Sequence, residues 1–410
     1  MKHSGNRPSL WQWRRPATWQ WGALVVALLL GMVPLGYGSL ASASPKAGGL
    51  GAPALGRYRS VASGAWRVVR SPQGATGGLS TITCPTSRVC FAVGAGGVIL
   101  ASSDGGASWR VQRSPVERGP GPVYPCPKDW VPPPNVHRPY VCRILVDPAL
   151  DAIDCPTSTA CLAVGEGGNI VATLDSGATW QSRPSGTYNA LRGIACPTRT
   201  DCLVVGTNGP DVGFANGDEF EDTQPPTILV STNAGAAWAR RPSGTGTHTA
   251  LNGIACTTRA DCLAVGSQEG VGAILASSDG GATWHRRALV TKASWLSGIA
   301  CPTNQDCLAV GWGPKGDSPI LASSDGGVTW HSRPSGTDQA LGSITCPTSM
   351  DCLVAAGPGL LATADGGATW ATGSMGSDQL GGGFACPTTS SCLAATENGA
   401  ILKSPDEFTF

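Results

Sequence analysis

From about residue 58 onward, apolar runs of four to six residues alternate with clusters of Gly, Pro, Asp and Ser. Runs of this length bounded by turn formers predict strands rather than helices. The order of the runs is constant. One ends in Cys, as in GIAC at 253. A second opens with Cys, as in CLAVG at 262. A third reads AILAS, and a fourth follows a Trp, as in TWHSR at 329. The pattern predicts an all-β chain of four-stranded units.

The units are copies of one another. LNGIACTTRADCLAVG at 251, LSGIACPTNQDCLAVG at 296 and LGSITCPTSMDCLVAAG at 341 differ mainly within the turn, and ASSDGGATW, ASSDGGVTW and ATADGGATW follow them. The first Cys of the unit falls at 84, 155, 196, 256, 301, 346 and 386, which gives seven units. The Trp that opens the fourth strand precedes the next unit's first Cys by 16 to 18 residues in all but one case. Trp66 lies 18 residues before Cys84 with no unit of its own, and the seventh unit reaches Phe410 just where its fourth strand should begin. The two incomplete ends complement each other if the segment around Trp66–Val69 is the outer strand of the seventh unit. That closure predicts a seven-bladed β-propeller of four-stranded blades, closed by an N-terminal strand. A solenoid would leave both ends unexplained.

Two recurring elements carry chemistry with a structural purpose. The turn SxDxGxTW runs from Ser102 to Trp109 and recurs at Asp175, Asp279, Asp325 and Asp365, with Asn233 in its place in the third unit. Asp accepts backbone N–H bonds within such a turn, and Gly supplies positive φ. These carboxylates are therefore turn formers, not catalysts. The C-x5-C pairs face each other across the turn between the first two strands. No His accompanies them, which disfavours zinc, and opposed cysteines on neighbouring strands predict one disulfide per blade: Cys84–Cys90, Cys155–Cys161, Cys196–Cys202, Cys256–Cys262, Cys301–Cys307, Cys346–Cys352 and Cys386–Cys392. Cys126 and Cys142 stand off this spacing and are expected to bridge each other. An Arg recurs three or four residues past each Trp (Arg70, Arg113, Arg183, Arg241, Arg287, Arg333), where a solvated outer strand is expected.

Composition sharpens the compartment. The chain has 410 residues, 57 glycines, 16 cysteines and a net charge of +1. So many paired thiols point to an oxidising setting. The near-neutral charge gives no field for nucleic acid. Lys2, Arg7, Arg14 and Arg15 precede an apolar run from Trp21 to Tyr37, and Ala41-Ser42-Ala43 follows. Residues 1–43 thus read as a signal peptide or an N-terminal membrane anchor, 44–57 as a linker, and 58–410 as the propeller. The expected location is secreted or at the extracytoplasmic face of the cell membrane, with the membrane touched only through that N-terminal segment.

The repeat is interrupted twice. Residues 114–150 lengthen the connection between the first and second blades. Residues 207–226 lengthen the connection between the second and third strands of the third blade. Both connection types open on the face opposite the cysteine turns, and long connections on a rigid scaffold are where specificity is placed. The first insertion supplies Tyr124, Trp130, His137, Arg138 and Tyr140; the second supplies Asp218, Glu219 and Phe220. They are the candidate binding residues. The acidic run could hold calcium through oxygens but lacks EF-hand spacing, so no cofactor or metal is expected.

The SxDxGxTW turns resemble the Asp box of bacterial neuraminidase repeats. In blade count and single-domain export the chain is most similar to the photosystem II stability/assembly factor family. That resemblance implies a non-catalytic scaffold that binds assembly intermediates of a membrane complex. The repeated C-x5-C departs from that family's pattern, and no motif here reads a photosystem partner. Sialidases and xyloglucan-type glycosidases also carry Asp-box propellers, and a glycosidase requires two carboxylates at a set separation. Asp129 and the 218–222 cluster are the candidates for that alternative. The leading expectation is a monomeric, non-catalytic scaffold binding a protein, or a glycan, at the insertion face.

Overall fold

In the computed structural model the described residues are 66–69, 77–116, 119–125, 141–146, 148–208, 225–290, 293–313, 316, 318–375 and 382–405. The chain divides into two compact units, Met1–Arg57 and Tyr58–Phe410. The signal or anchor segment and the linker lie outside the described residues.

The second unit is an all-β, seven-bladed propeller. Each blade is a four-stranded antiparallel sheet in sequence order. Blade 1 consists of Leu79–Thr83, Cys90–Gly94, Ile99–Ser102 and Arg110–Gln112. The later blades begin at Leu150, Leu191, Thr249, Trp295 and Leu341. Blade 7 takes Phe384–Thr388, Ser391–Ala395 and Ile401–Lys403 from the end of the chain and Arg67–Val69 from its beginning. The closing pair is in register, Arg67 with Lys403 and Val69 with Ile401. The first strands of consecutive blades contact one another from blade 1 to blade 7, and blade 7 returns to blade 1, so these strands surround the axis.

The second and third strands are buried along nearly their whole length. In blade 1 every residue of Cys90–Gly94 and Ile99–Ser102 is buried, which is why these segments are continuously apolar instead of alternating. They fill seven clusters that lie between blades, not within them. In each cluster the Trp of one blade packs on the second strand of the blade before it: Trp109 with Leu393, Trp180 with Phe91, Trp284 with Leu203. Phe91 and the Trp180 indole meet edge-on, ring centroids 5.9 Å apart. Trp66 performs this task for blade 7, packed with Leu353 and Met375 and 6.1 Å from the Phe384 ring.

The first strand lets the blades crowd the axis. Two residues after its buried Leu it holds Thr81, Ala152, Gly193, Gly253, Gly298 and Ser343 in blades 1 to 6. A Cβ on Gly298 would lie 3.0 Å from the Gly342 carbonyl oxygen of the next blade, and one on Gly193 would lie 3.3 Å from the Gly253 Cα. Larger residues there would push the strands apart.

All seven C-x5-C pairs are disulfides. Their Cα atoms stand 4.0–4.1 Å apart, as expected for residues directly opposed across a hairpin. In the chain-entropy account, closing a loop this short contributes about 2 kcal/mol per bridge. The expected Cys126–Cys142 bridge lies outside the described residues.

Closure by the N-terminal strand has a direct consequence. Trp66→Ala should cost about 2 kcal/mol, given that the indole is only part-buried. Removing residues 1–70 should expose Ile401–Lys403 as a free edge and promote association. Thermal melting and size-exclusion chromatography check both; an unchanged, monomeric melt after truncation would contradict the closure.

Candidate functional site

The two faces of the propeller are built for different purposes. On one face the SxDxGxTW turn of each of blades 1 to 6 docks onto the cysteine turn of the same blade. The Gly105 amide donates to the Arg88 carbonyl (2.8 Å), Ser176 to Thr159 (2.9 Å), Ala234 to Thr200 (2.8 Å) and Gly326 to Gln305 (2.8 Å). Within the turn the carboxylate is fully engaged. Asp279 accepts Ser277 Oγ (2.8 Å), the Thr283 amide (2.9 Å) and Thr283 Oγ1 (2.6 Å). Asp175 and Asp325 repeat the arrangement. The second Gly has positive φ, +83° at Gly281, where any Cβ would strike Leu203 of the preceding blade at 2.5 Å. The cysteine turn carries its own brace in T-x-x-D form: Thr198 Oγ1 donates to Asp201 Oδ2 (2.7 Å), and Thr258, Thr303 and Thr348 repeat it. Arg259 then bridges to Asp201 of the neighbouring blade (2.8 Å). These carboxylates are spent on structure.

The opposite face holds the connections that vary. The first insertion is rooted where Ser114 and Val116 and the Pro148 carbonyl pack around Gly97. It contains a two-stranded ribbon, Gly119–Pro125 with Val141–Val146, pairing Tyr124 with Cys142. The second insertion is rooted at Asn208 and Pro225. Asn208 is buried and its Nδ2 has no hydrogen-bond partner among the described residues, while Arg240 Nη2 donates to the Pro225 carbonyl (3.2 Å). Of the candidate residues, the structure places Tyr124 in the ribbon; Trp130, His137, Arg138, Tyr140, Asp218, Glu219 and Phe220 lie outside the described residues, as does Asp129.

Between the two insertions lies a cluster that the sequence reading missed. The first strand of blades 1 to 5 carries a one-residue bulge just after its buried Leu, at Ser80, Asp151, Arg192, Asn252 and Ser297. A bulge re-aims a side chain, and at Asp151, Arg192 and Asn252 the side chain reaches a neighbouring blade. Arg192 of blade 3 binds Asp151 of blade 2 (3.1 Å) and Glu166 in a blade 2 turn (2.9 Å), the three side chains being 23%, 15% and 14% exposed. Asn252 Nδ2 donates to the Leu296 carbonyl of blade 5 (2.9 Å). Tyr188, on the connection from blade 2 to blade 3, is 57% exposed, and beside it Asn189 Nδ2 donates to Thr227 Oγ1 (2.8 Å). The available signal was the second residue of each LxGIAC run, which varies while its neighbours repeat. At the other end of the same strand, Asp154 Oδ1 accepts the Cys155 amide (2.8 Å) and Oδ2 the Cys196 amide (2.6 Å), joining blades 2 and 3. Burial pushes its carboxyl up, against those two amides.

The described residues contain no group of three or more His, Cys, Asp or Glu arranged to hold a metal. None of their helices is long and apolar enough to cross a membrane.

No family model and no curated protein matches the chain. Solved structures do. The chain is similar to YCF48 bound to a D1 peptide (TM-score 0.60, 13% identity, 84% of this chain and 96% of that one) and to YCF48 from Cyanidioschyzon merolae (0.57, 13%, 84% and 100%). It is also similar to a GH74 xyloglucanase from Xanthomonas campestris (0.57, 14%, 84%), of which it spans about half, 54%. At these identities the likeness establishes the propeller fold.

The turn carboxylates make a prediction with an internal control. Hydrogen bonds from Thr283 and Thr329 hold Asp279 and Asp325 down at about 2, against an ordinary 3.8. A carboxyl lowered on folding contributes stability that is present above about pH 4 and is lost as pH falls through about 2. Blade 3 has Asn233, whose Oδ1 accepts the Ala237 amide without titrating. Amide resonances of Thr283 and Thr329 should shift with midpoints near pH 2, and that of Ala237 should stay. A midpoint near 4 at Thr283 would contradict the assignment.

Proposed function

We propose that this chain is an exported, non-catalytic scaffold that binds a protein partner, or a glycan, through the face carrying the two insertions, in the manner of an assembly or stability factor for a membrane complex. The observation that carries this reading is the division of labour between the faces. One face is closed by seven disulfides and the internally bonded aspartates. The other presents both departures from the repeat, with Tyr188 exposed between them and Arg192 bracing the blades beneath. Tyr124, Trp130, His137, Arg138, Tyr140, Asp218, Glu219 and Phe220 are the proposed contacts, since aromatic and Arg side chains dominate the energetics of such interfaces. A bridge in every blade fits an oxidising, extracytoplasmic setting. Among the structural neighbours, YCF48 is seen bound to a D1 peptide, so a propeller of this shape is suited to holding a polypeptide.

The likeness to a xyloglucanase favours one second reading, a glycoside hydrolase. It needs two carboxylates flanking a sugar bond. On the described part of the insertion face Asp151 and Glu166 are both held by Arg192, which offsets one of their two charges; Asp129 and the 218–222 cluster are the carboxylates left to serve.

The test is to express residues 44–410 under oxidising conditions and assay hydrolysis and binding on a glycan panel, with the intact protein and a variant lacking 117–147. The scaffold reading expects no turnover on any glycoside, and loss of ligand binding in the shortened variant. Turnover abolished by Asp129→Asn, or by amide substitutions at 218–222, would move the protein to the hydrolases.

A further inference from the structure

The ribbon of the first insertion treats its two edges differently. Gly119–Pro125 pairs with Val141–Val146, and among the described residues no third strand joins either side. Each strand therefore keeps one row of backbone N–H and C=O groups outside the ladder. Three of the seven residues of Gly119–Pro125 are prolines, which donate nothing, and between Pro120 and Val123 that strand sets two residues against one on its partner. Proline and the bulge are devices that keep an edge from pairing further. Val141–Val146 has neither. It reads VCRILV, with one charge, no Gly and no Pro. Val141, Ile144 and Val146 are β-branched, which favours pairing.

The propeller manages its own edges. The first strands surround the axis. Six outer strands are two to four residues long. The remaining one, His285–Val290, has a bulge at Arg287 with a second arginine beside it. Val141–Val146 is as long as that strand and unguarded. It is also tethered. Only Asp147, Pro148 and Ala149 separate it from the innermost strand of blade 2, which begins at Leu150, and its partner strand starts three residues after Val116, which packs at Gly97. An edge held extended in advance lowers the ordering cost of binding.

We infer that Val141–Val146 is an open edge to which an extended segment of a partner polypeptide adds as the third strand of the ribbon. This rests on the insertion-face reading and deepens it, because the edge itself names the class of ligand. Its outward N–H and C=O groups recur at every second residue, about 6.8 Å apart. An extended polypeptide repeats its own donors and acceptors at that spacing, and a glycan has no such row. The edge therefore selects protein over sugar. Main-chain hydrogen bonds supply the affinity, and the partner's alternate side chains supply the specificity. The segment it takes is free of proline over about five residues.

The probe is a phage-displayed library of random dodecapeptides, panned on oxidised residues 44–410, whose seven blades close on themselves. The enriched peptide is then made synthetically. N-methylation scanned along it should weaken binding at every second position, about tenfold for each lost hydrogen bond, and leave the positions between unchanged. Hydrogen exchange should show the bound peptide slowing alternate amides within 141–146. Of Arg143→Pro and Ile144→Pro, the one that removes an outward donor should abolish binding with an unchanged melt; if both disrupt the ribbon, the N-methyl scan and the exchange pattern decide. No enriched peptide, N-methyl losses without a period of two, protection elsewhere than 141–146, or a dimer of the chain formed through this strand would each overturn the inference. A partner still captured by both proline variants but lost on removal of 117–147 would overturn the edge and leave the insertion-face reading standing. Capture indifferent to that removal would contradict the insertion-face reading itself.

Discussion

Everything in this propeller depends on one contact between neighbours: in blades 1 to 6 the Trp and the second Gly of the turn are pressed onto the second strand of the blade before, and Trp66 takes that place for blade 7. Gly281 has no room for a side chain because Leu203 is there, and the Trp284 indole closes the same cluster while its Nε1 donates to the Gly281 carbonyl (3.1 Å). A blade therefore has no complete core of its own. Stability comes from interfaces between consecutive units, as in other repeat architectures, and a ring has no unpaired end only if the last interface is made. The chain makes it with material from both ends, Trp66 and Arg67–Val69 against Ile401–Lys403.

That dependence constrains where function can sit. The turn that delivers Trp and Gly to the preceding blade also bonds to the cysteine turn, so one whole face is committed to holding the ring. Its aspartates keep their charge and direct it at hydroxyls and amides of their own turn, leaving little for a ligand. The other face carries connections that make few such demands. It is there that the repeat is free to vary, by insertion at two connections, by a bulge residue that becomes Asp151, Arg192 or Asn252, and by a tryptophan pair at blade 5, Trp295 opposite Trp312.

The fold was legible because its rules are local and repeated. C-x5-C needs only a hairpin to bring the sulfurs together, and all seven pairs joined. SxDxGxTW specifies its turn through its own Ser, Asp, Gly and Thr, and even Asn233 retains the acceptor oxygen. The complementary ends, Trp66 without a unit and a seventh unit without its fourth strand, were enough to deduce closure. The site was much less legible. The link from Arg192 to Asp151 spans 41 residues and exists only because the first strands converge on the axis. The Asp154 bridge to the Cys196 amide is likewise a product of blade neighbourhood. Trp295 and Trp312 look like ordinary strand aromatics until the register sets them face to face outside the core. Side chains acting across blades are set by ring geometry, which no single repeat encodes.

The central claim is that a partner engages the insertion face and leaves the disulfide face bare. Photo-crosslinking in the cells that make the protein tests it most directly. A photoreactive residue would replace Tyr188 on the insertion face, 57% exposed, or Met350 on the disulfide face, 51% exposed. The account predicts a discrete higher-mass adduct from position 188 and none from position 350. An adduct from 350 with none from 188 would contradict it.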